Sequence, residues 1–437
     1  MRLASLLVTA AMAHAQPLAV QTFTLDNGMK VLVHEDRDIP NVALYLFFKI
    51  GSRDERPGVT GISHFFEHMM FNGAKKYGPK QFDIVMEANG GSNNAYTSRD
   101  VTVYTDWFPR SALELIMDME SDRMVHLDLD PKMVESERGV VYSERRQRVD
   151  NDNFGLLEEQ LDAAAFLAHP YGWPVIGWAS DIEAWTIDDL RHHYRIGYAP
   201  NNCVMVVSGD VSRREVEELA KQYFGGIERQ EPPPAVRTVE PEQLGERRVE
   251  IRKAAQLPLL MVSYHVPRSA DADRTTLEVL TALLTRGRSS RLYRRLVDRD
   301  RLALDVSAYA GKSLDPGQLV FYLEVTSGVD PAKAEEALFE EIDAMRKDLA
   351  DARELEKAKN QLLVQLYRQQ KTIAGKANLL GQYEVFHGGY ETLAQAGEAI
   401  ASVSAESVRE AARRYLDPKK RTIATLIPEA AAAKESE

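Results

Sequence analysis

The sequence predicts an α+β fold made of two similar units, each an antiparallel sheet covered by helices, joined by a linker. Three observations lead there. Residues 228–247 (ERQEPPPAVRTVEPEQLGER) break all periodicity, and Pro232-Pro233-Pro234 cannot enter a helix or a central strand. Either side of that segment opens with β-like runs and then carries long helical patterns. Each side also ends in an apolar strand-like run, Met205–Val211 and Thr422–Pro428. The expected boundaries are 16–227 for the first domain, 228–247 for the linker and 248–437 for the second domain, with 1–15 as a leader.

Each element has a local reason. Met1-Arg2 and the apolar run Leu3–Ala13 precede Ala13-His14-Ala15, a small-x-small site. This reads as a secretory signal cleaved near Ala15. Asp26-Asn27-Gly28 sits between two β-like runs within Gln21–Glu35, a hairpin signal. Val42–Ile50 is a strand, and Gly61–Asn72 is helical with Gly73 to end it. Lys80–Asn89 forms a short helix closed by Gly90-Gly91. The β-branched and aromatic run Ala95–Trp107 predicts one strand, and Ser111–Met124 an amphipathic helix. Asp130-Pro131 starts a long helix running to about Val149, with Asp as N-cap and Pro as first helical residue.

Composition limits the function. The chain has 437 residues, 44% hydrophobic and 27% charged, the balance of a folded protein with a large core. A net charge of -12 gives no basic footprint, so nucleic acid is not an expected partner. Beyond the leader no run of 18 apolar residues appears, so no transmembrane anchor is expected. Cys203 is the single cysteine and cannot form an internal disulfide; CVMVV around it reads as a buried strand.

Ser63–Gly73 (SHFFEHMMFNG) concentrates the chemistry. On a helix His64 and His68 share a face, at i and i+4, and Glu67 lies beside them. Two imidazoles aimed at one point suit zinc, and a neighbouring carboxylate suits a general base. Two surface histidines on an amphipathic helix fit the same spacing. In VESERGVVYSERRQRVDN, Glu137 and Glu144 are seven apart and share a face, while Glu135 lies off it. A solvated acidic helix would look the same. His192-His193 reads as a solvated pair.

Together, HFFEH, the downstream glutamate and the segments GVTGISHFFEHMMFNGAKKY, GGSNNAYTSRDVTVY and HPYGWPVIGWASDIEAWTIDDLRHHYRIGYAPNN resemble the pitrilysin family of zinc peptidases. That resemblance runs from about Thr24 to the C-terminus. It implies one zinc per chain held by His64, His68 and Glu144, with Glu67 as general base and Glu137 supporting a ligand. It implies that an extended peptide adds to an edge strand at Asn94 and Ala95. It implies that the two domains form half of a clam-like chamber. The five apolar residues Phe65, Phe66, Met69, Met70 and Phe71 are then expected to wedge the motif helix into a core.

One departure stands out. Family members that act alone, or as identical pairs, carry an arginine and a tyrosine seven residues apart in the second half, in text resembling SSRLxxxLRxxxGLAYS. Here Val297 and Leu304 occupy those positions in SSRLYRRLVDRDRLALDVS. Neither donates a hydrogen bond. The expected assembly is a heterodimer whose partner supplies Arg and Tyr; Arg294, Arg295 or Tyr309 acting from a shifted register is the alternative. The expected function is a zinc endopeptidase subunit cleaving short or unfolded peptides in a bacterial periplasm. A non-catalytic peptide-binding subunit and a processing peptidase for one precursor are the competing readings.

Overall fold

The computed structural model describes residues 18–429; the leader expected at residues 1–15 lies outside the described residues. Strands β1 (Val20–Thr24), β2 (Lys30–Glu35), β3 (Asn41–Phe48), β4 (Ser92–Thr97), β5 (Thr102–Pro109) and β6 (Cys203–Gly209) form one sheet in the order β1-β2-β6-β3-β5-β4. Strands β7 (Arg247–Ala254), β8 (Leu259–Val266), β9 (Ala303–Ala310), β10 (Gly317–Val325) and β11 (Arg421–Glu429) form the second, in the order β7-β11-β8-β10-β9. The second order repeats the first with β1 left out. Both sheets place a parallel pair at the same point, β2 with β6 and β7 with β11, and both are otherwise antiparallel. The protein is therefore a mixed α+β molecule with two sheets of like topology. No helix or strand lies between residues 228 and 246.

The first half carries helices α1 (Ile62–Met69), α2 (Gln81–Ala88), α3 (Leu113–His126), α4 (Pro131–Arg145), α5 (Asn153–Ala165), α6 (Ala179–Ala184), α7 (Ile187–Gly197) and α8 (Arg213–Tyr223). The second carries α9 (Asp273–Thr285), α10 (Pro331–Lys347), α11 (Ala352–Gln369), α12 (Ile373–Phe386), α13 (Ala396–Ser402) and α14 (Ala405–Tyr415). Among the described residues no helix is long and apolar enough to cross a membrane.

One expectation needs correction. The run Ala95–Trp107 is not one strand but β4 and β5, separated by a turn. Ser98 Oγ accepts from the N–H groups of Asp100 and Val101, which folds the chain back although the flanking residues favour strand. The helix begun by Asp130, whose side chain caps Lys132 and Met133, ends as regular α-helix at Arg145; residues 146–150 continue it as a wider π turn.

The halves exchange a helix. Leu157 and Leu161 of α5 pack into Leu259, Met261, Ala424 and Leu426 of the second sheet. In return α12 packs on β3 and β6 of the first sheet. Its Gly381 lies flat on Phe47, so that a Cβ there would stand 2.0 Å from the ring. Phe47 is fully buried. Helix propensity alone would have Gly381→Ala stabilise by about 1 kcal/mol. Overpacking a closed interface costs about 1–3 kcal/mol, which outweighs that gain. Denaturant titration of Gly381→Ala is therefore expected to show a lower midpoint than the parent chain.

Candidate metal and peptide site

Helix α1 is held at both its start and its flank. Gly61, its N-cap, has φ +84° and lies against Gly177, also φ +84°. A Cβ on Gly61 would stand 2.3 Å from the Ile176 carbonyl oxygen, so only glycine fits. Two N–H groups left free by the helix start donate to one buried carboxylate: Gly61 to Glu55 Oε2 at 2.7 Å, Ser63 to Glu55 Oε1 at 2.8 Å. Phe65 packs on Trp185, and Phe66 stacks on His193 and Tyr194. Phe65, Phe66, Met69 and Met70 are buried as expected, whereas Phe71 is only partly so.

His193 departs from the expectation of a solvated pair. It is buried on the inner face of α7, with Nε2 3.1 Å from Ser63 Oγ, and burial pushes it down to about 3. His192 is the exposed member.

His64 and His68 project from α1 with ring centroids 4.9 Å apart. Glu144 reaches them from α4: its Oε2 lies 3.7 Å from His64 Nε2 and 3.1 Å from His68 Nε2. Ligand bonds of about 2.0–2.2 Å set tetrahedral edges of about 3.3–3.5 Å, a range these two distances bracket. All three donor atoms lie within 4.8 Å of one another, and the donor set of two imidazoles and one carboxylate leaves a fourth position open. The residues present thus fit a zinc ion.

Around this cluster His68 and Glu144 each have a polar partner, whereas the buried His64 Nδ1 has none among the described residues. His68 Nδ1 meets Glu137 Oε1 at 2.8 Å, and Asn72 Nδ2 donates to Glu137 Oε2 at 2.6 Å. Arg148 Nε lies 3.0 Å from Glu144 Oε1. Glu135 points away and pairs with Arg138 at the surface. Glu67 follows on the same helix, and its Oε2 accepts from Thr97 Oγ1 at 2.6 Å. Burial raises the Glu67 carboxyl, opposed by that hydrogen bond.

The two imidazoles titrate in opposite directions. Burial pushes His64 down to about 4, helped by the neighbouring His68 charge. Burial also opposes charge on His68, but hydrogen bonds and attraction from Glu137 and Glu144 outweigh it and raise the ring to about 9.

Among the described residues strand β4 pairs only with β5, and no strand covers its other edge. It runs beside α1. The Asn94 side chain is exposed, with Oδ1 accepting from the Ala95 N–H at 2.9 Å, and Thr97 ends the strand at Glu67. In the second half Leu304 is 51% exposed and Val297 half-buried. Arg295 is engaged by Asp300 and Glu340, and Tyr309 donates to Glu158 at 2.7 Å.

Sequence reasoning passed over Thr97, Asn72 and Arg148. Spacing could have found two of them: Asn72 is i+4 from His68, and Arg148 is i+4 from Glu144. Thr97 meets Glu67 only through the tertiary fold.

A helix-borne pair of histidines, a carboxylate from a second helix and a free strand edge define a metallopeptidase-like architecture. Comparison with known proteins agrees. The family described as "Insulinase (Peptidase family M16)" matches residues 30–178, and "Peptidase M16 inactive domain" matches residues 184–362. The chain is 32% identical over 388 residues to the zinc protease PqqE of Helicobacter pylori, covering 87% of this chain and 84% of that one. Its fold matches the crystal structure of a protease from Helicobacter pylori with TM-score 0.91 at 27% identity, over 94% of this chain and 99% of that one. The periplasmic protease PqqL from Escherichia coli shares the fold with TM-score 0.77 at 21% identity, over 96% of this chain but 48% of that longer one. This protein belongs to peptidase family M16, the pitrilysin family.

Two measurements test the cluster. Glu137→Gln is expected to weaken zinc binding by about 10–100-fold, read by competition with a chelator, because the His68 ring loses the partner that orients it. Zinc uptake at neutral pH is expected to release about one proton, from His68, as a ligating imidazole must be neutral. His64, already neutral there, contributes none. Raising the pH toward 9 should therefore strengthen binding, and calorimetry in buffers of different ionisation enthalpy reads the proton count.

Proposed function

We propose that this chain is the metal-bearing subunit of a zinc-dependent endopeptidase acting on short or unfolded peptides. The observation that carries this is the convergence of His64, His68 and Glu144 beside Glu67, at the end of a free strand edge. His64, His68 and Glu144 would hold the ion, and Glu137 would fix the His68 ring. A bound zinc supplies a Lewis acid that lowers the pKa of water to about 7 and polarises a carbonyl. The chain's own residues do the rest. The edge of β4 at Asn94 and Ala95 binds the peptide main chain as an added strand, which selects for extended conformation rather than sequence. Glu67 takes a proton from the attacking water and returns it to the departing amide nitrogen. The buried aromatic layer under α1 keeps bulk water from screening these charges.

Val297 and Leu304 leave this chain's second half without the donors that its relatives bring to the reacting carbonyl. A homodimer would present the same two apolar side chains, so a homologous partner with Arg and Tyr is the assembly that completes the site. Losing such a donor costs about 10²–10³ in rate. The signal-like sequence of residues 1–15 and the periplasmic location of the PqqL relative both support export to a periplasm. The second reading, a non-catalytic peptide-binding subunit, draws on the match of residues 184–362 to a domain described as inactive.

Two experiments decide between them. Glu67→Gln is expected to retain stoichiometric zinc and to lose about 10²–10⁴ in peptide hydrolysis. Absence of zinc from the purified chain, or no hydrolysis by the parent protein, would favour the scaffold; full hydrolysis by Glu67→Gln would remove Glu67 as the base. Native co-purification is expected to yield a second chain of similar size carrying the Arg and Tyr. Full activity of the isolated chain would defeat the divided site.

A further inference from the structure

We infer that Thr97 is a positioning residue, which aims Glu67 and ties that aim to the strand on which the peptide docks. The inference rests on the proposed peptidase reading and deepens it. Three observations carry it. Thr97 Oγ1 donates to Glu67 Oε2 at 2.6 Å, a charge-assisted contact that occupies one carboxylate oxygen and leaves Oε1 to meet water. Thr97 is the last residue of β4, in register with Thr102 of β5. The turn that follows is clamped from outside: Ser52 N–H donates to the Ser98 carbonyl and Arg53 N–H to the Arg99 carbonyl, at 3.3 and 2.7 Å. The hydroxyl therefore stands on fixed backbone.

Glu67 by itself has three side-chain torsions and projects from the half-buried flank of a short helix. A carboxylate with both oxygens free would sample several rotamers, and only some direct an oxygen at the reacting water. One fixed donor selects among them. The donor belongs to the strand whose free edge receives the peptide, so the placement of the scissile bond and the aim of the base share one short segment. A docked peptide that stiffens β4 stiffens the base with it. Thr97 does not touch the reacting atoms.

The test uses the full chain with its co-purified partner. Thr97→Val keeps size and β-branching and removes the donor; Thr97→Ser keeps the donor. For Thr97→Val, kcat is expected to fall about 10–100-fold, the scale of a misplaced catalytic group. Zinc affinity, read by chelator competition, should stay within about twofold, as should the affinity for a fluorescent unstructured peptide in a Glu67→Gln background. Thr97→Ser is expected to restore kcat. In crystals of Thr97→Val the Glu67 carboxylate should leave its present position. The inference is overturned if Thr97→Val keeps kcat, if it loses zinc or peptide affinity in proportion, or if Thr97→Ser is equally impaired. Should the parent protein hydrolyse no peptide, the proposed function falls, and the crystal arm still decides the contact: an unmoved Glu67 carboxylate in Thr97→Val defeats it.

Discussion

The placement of α1 governs the rest of this structure. Eight residues are too few to hold a helix by themselves in water, so its existence comes from what surrounds it. The Glu55 carboxylate fixes its first turn, the contact of Gly61 with Gly177 fixes its axis, and Phe65 and Phe66 fix its rotation. With axis and rotation set, His64 and His68 have one direction left to point. The contrast between the two rings follows from partners rather than from burial. Both are desolvated, yet only His68 has two carboxylates against it, so one imidazole is pressed toward neutrality and the other toward charge.

Much of this was legible in the sequence because it depends on local spacing. Two histidines four apart on a helix, and two glutamates seven apart on another, can be placed without knowing the fold, and the structure brings His64, His68, Glu137 and Glu144 together. What could not be read depends on contacts across the chain. The break between β4 and β5 was hidden because β-branched residues continue through a turn that Ser98 makes by side-chain hydrogen bonds. His193 looked solvated beside His192 because adjacent residues on a helix face different ways, and only the packing of Phe66 reveals which way is inward. The partnership of Thr97 with Glu67 spans thirty residues and leaves no periodic trace.

The two halves share a strand order and differ in chemistry, which separates what the architecture requires from what the reaction requires. Parallel pairing at the same point of each sheet, and covering helices on each, recur because they close a core. Among the described residues the cluster of His64, His68 and Glu144 has no counterpart in the second half. In the second, the SSRL segment is followed by the apolar Val297 and Leu304, which offer no hydrogen-bond donor.

The traded helices carry a separate consequence. Because α5 roofs the second sheet and α12 roofs the first, neither half closes its own core. A nick anywhere in residues 228–246 would leave two fragments that each lend the other its missing lid. The smallest self-sufficient body here is thus the pair, and residues 228–246 tie together what the packing already holds.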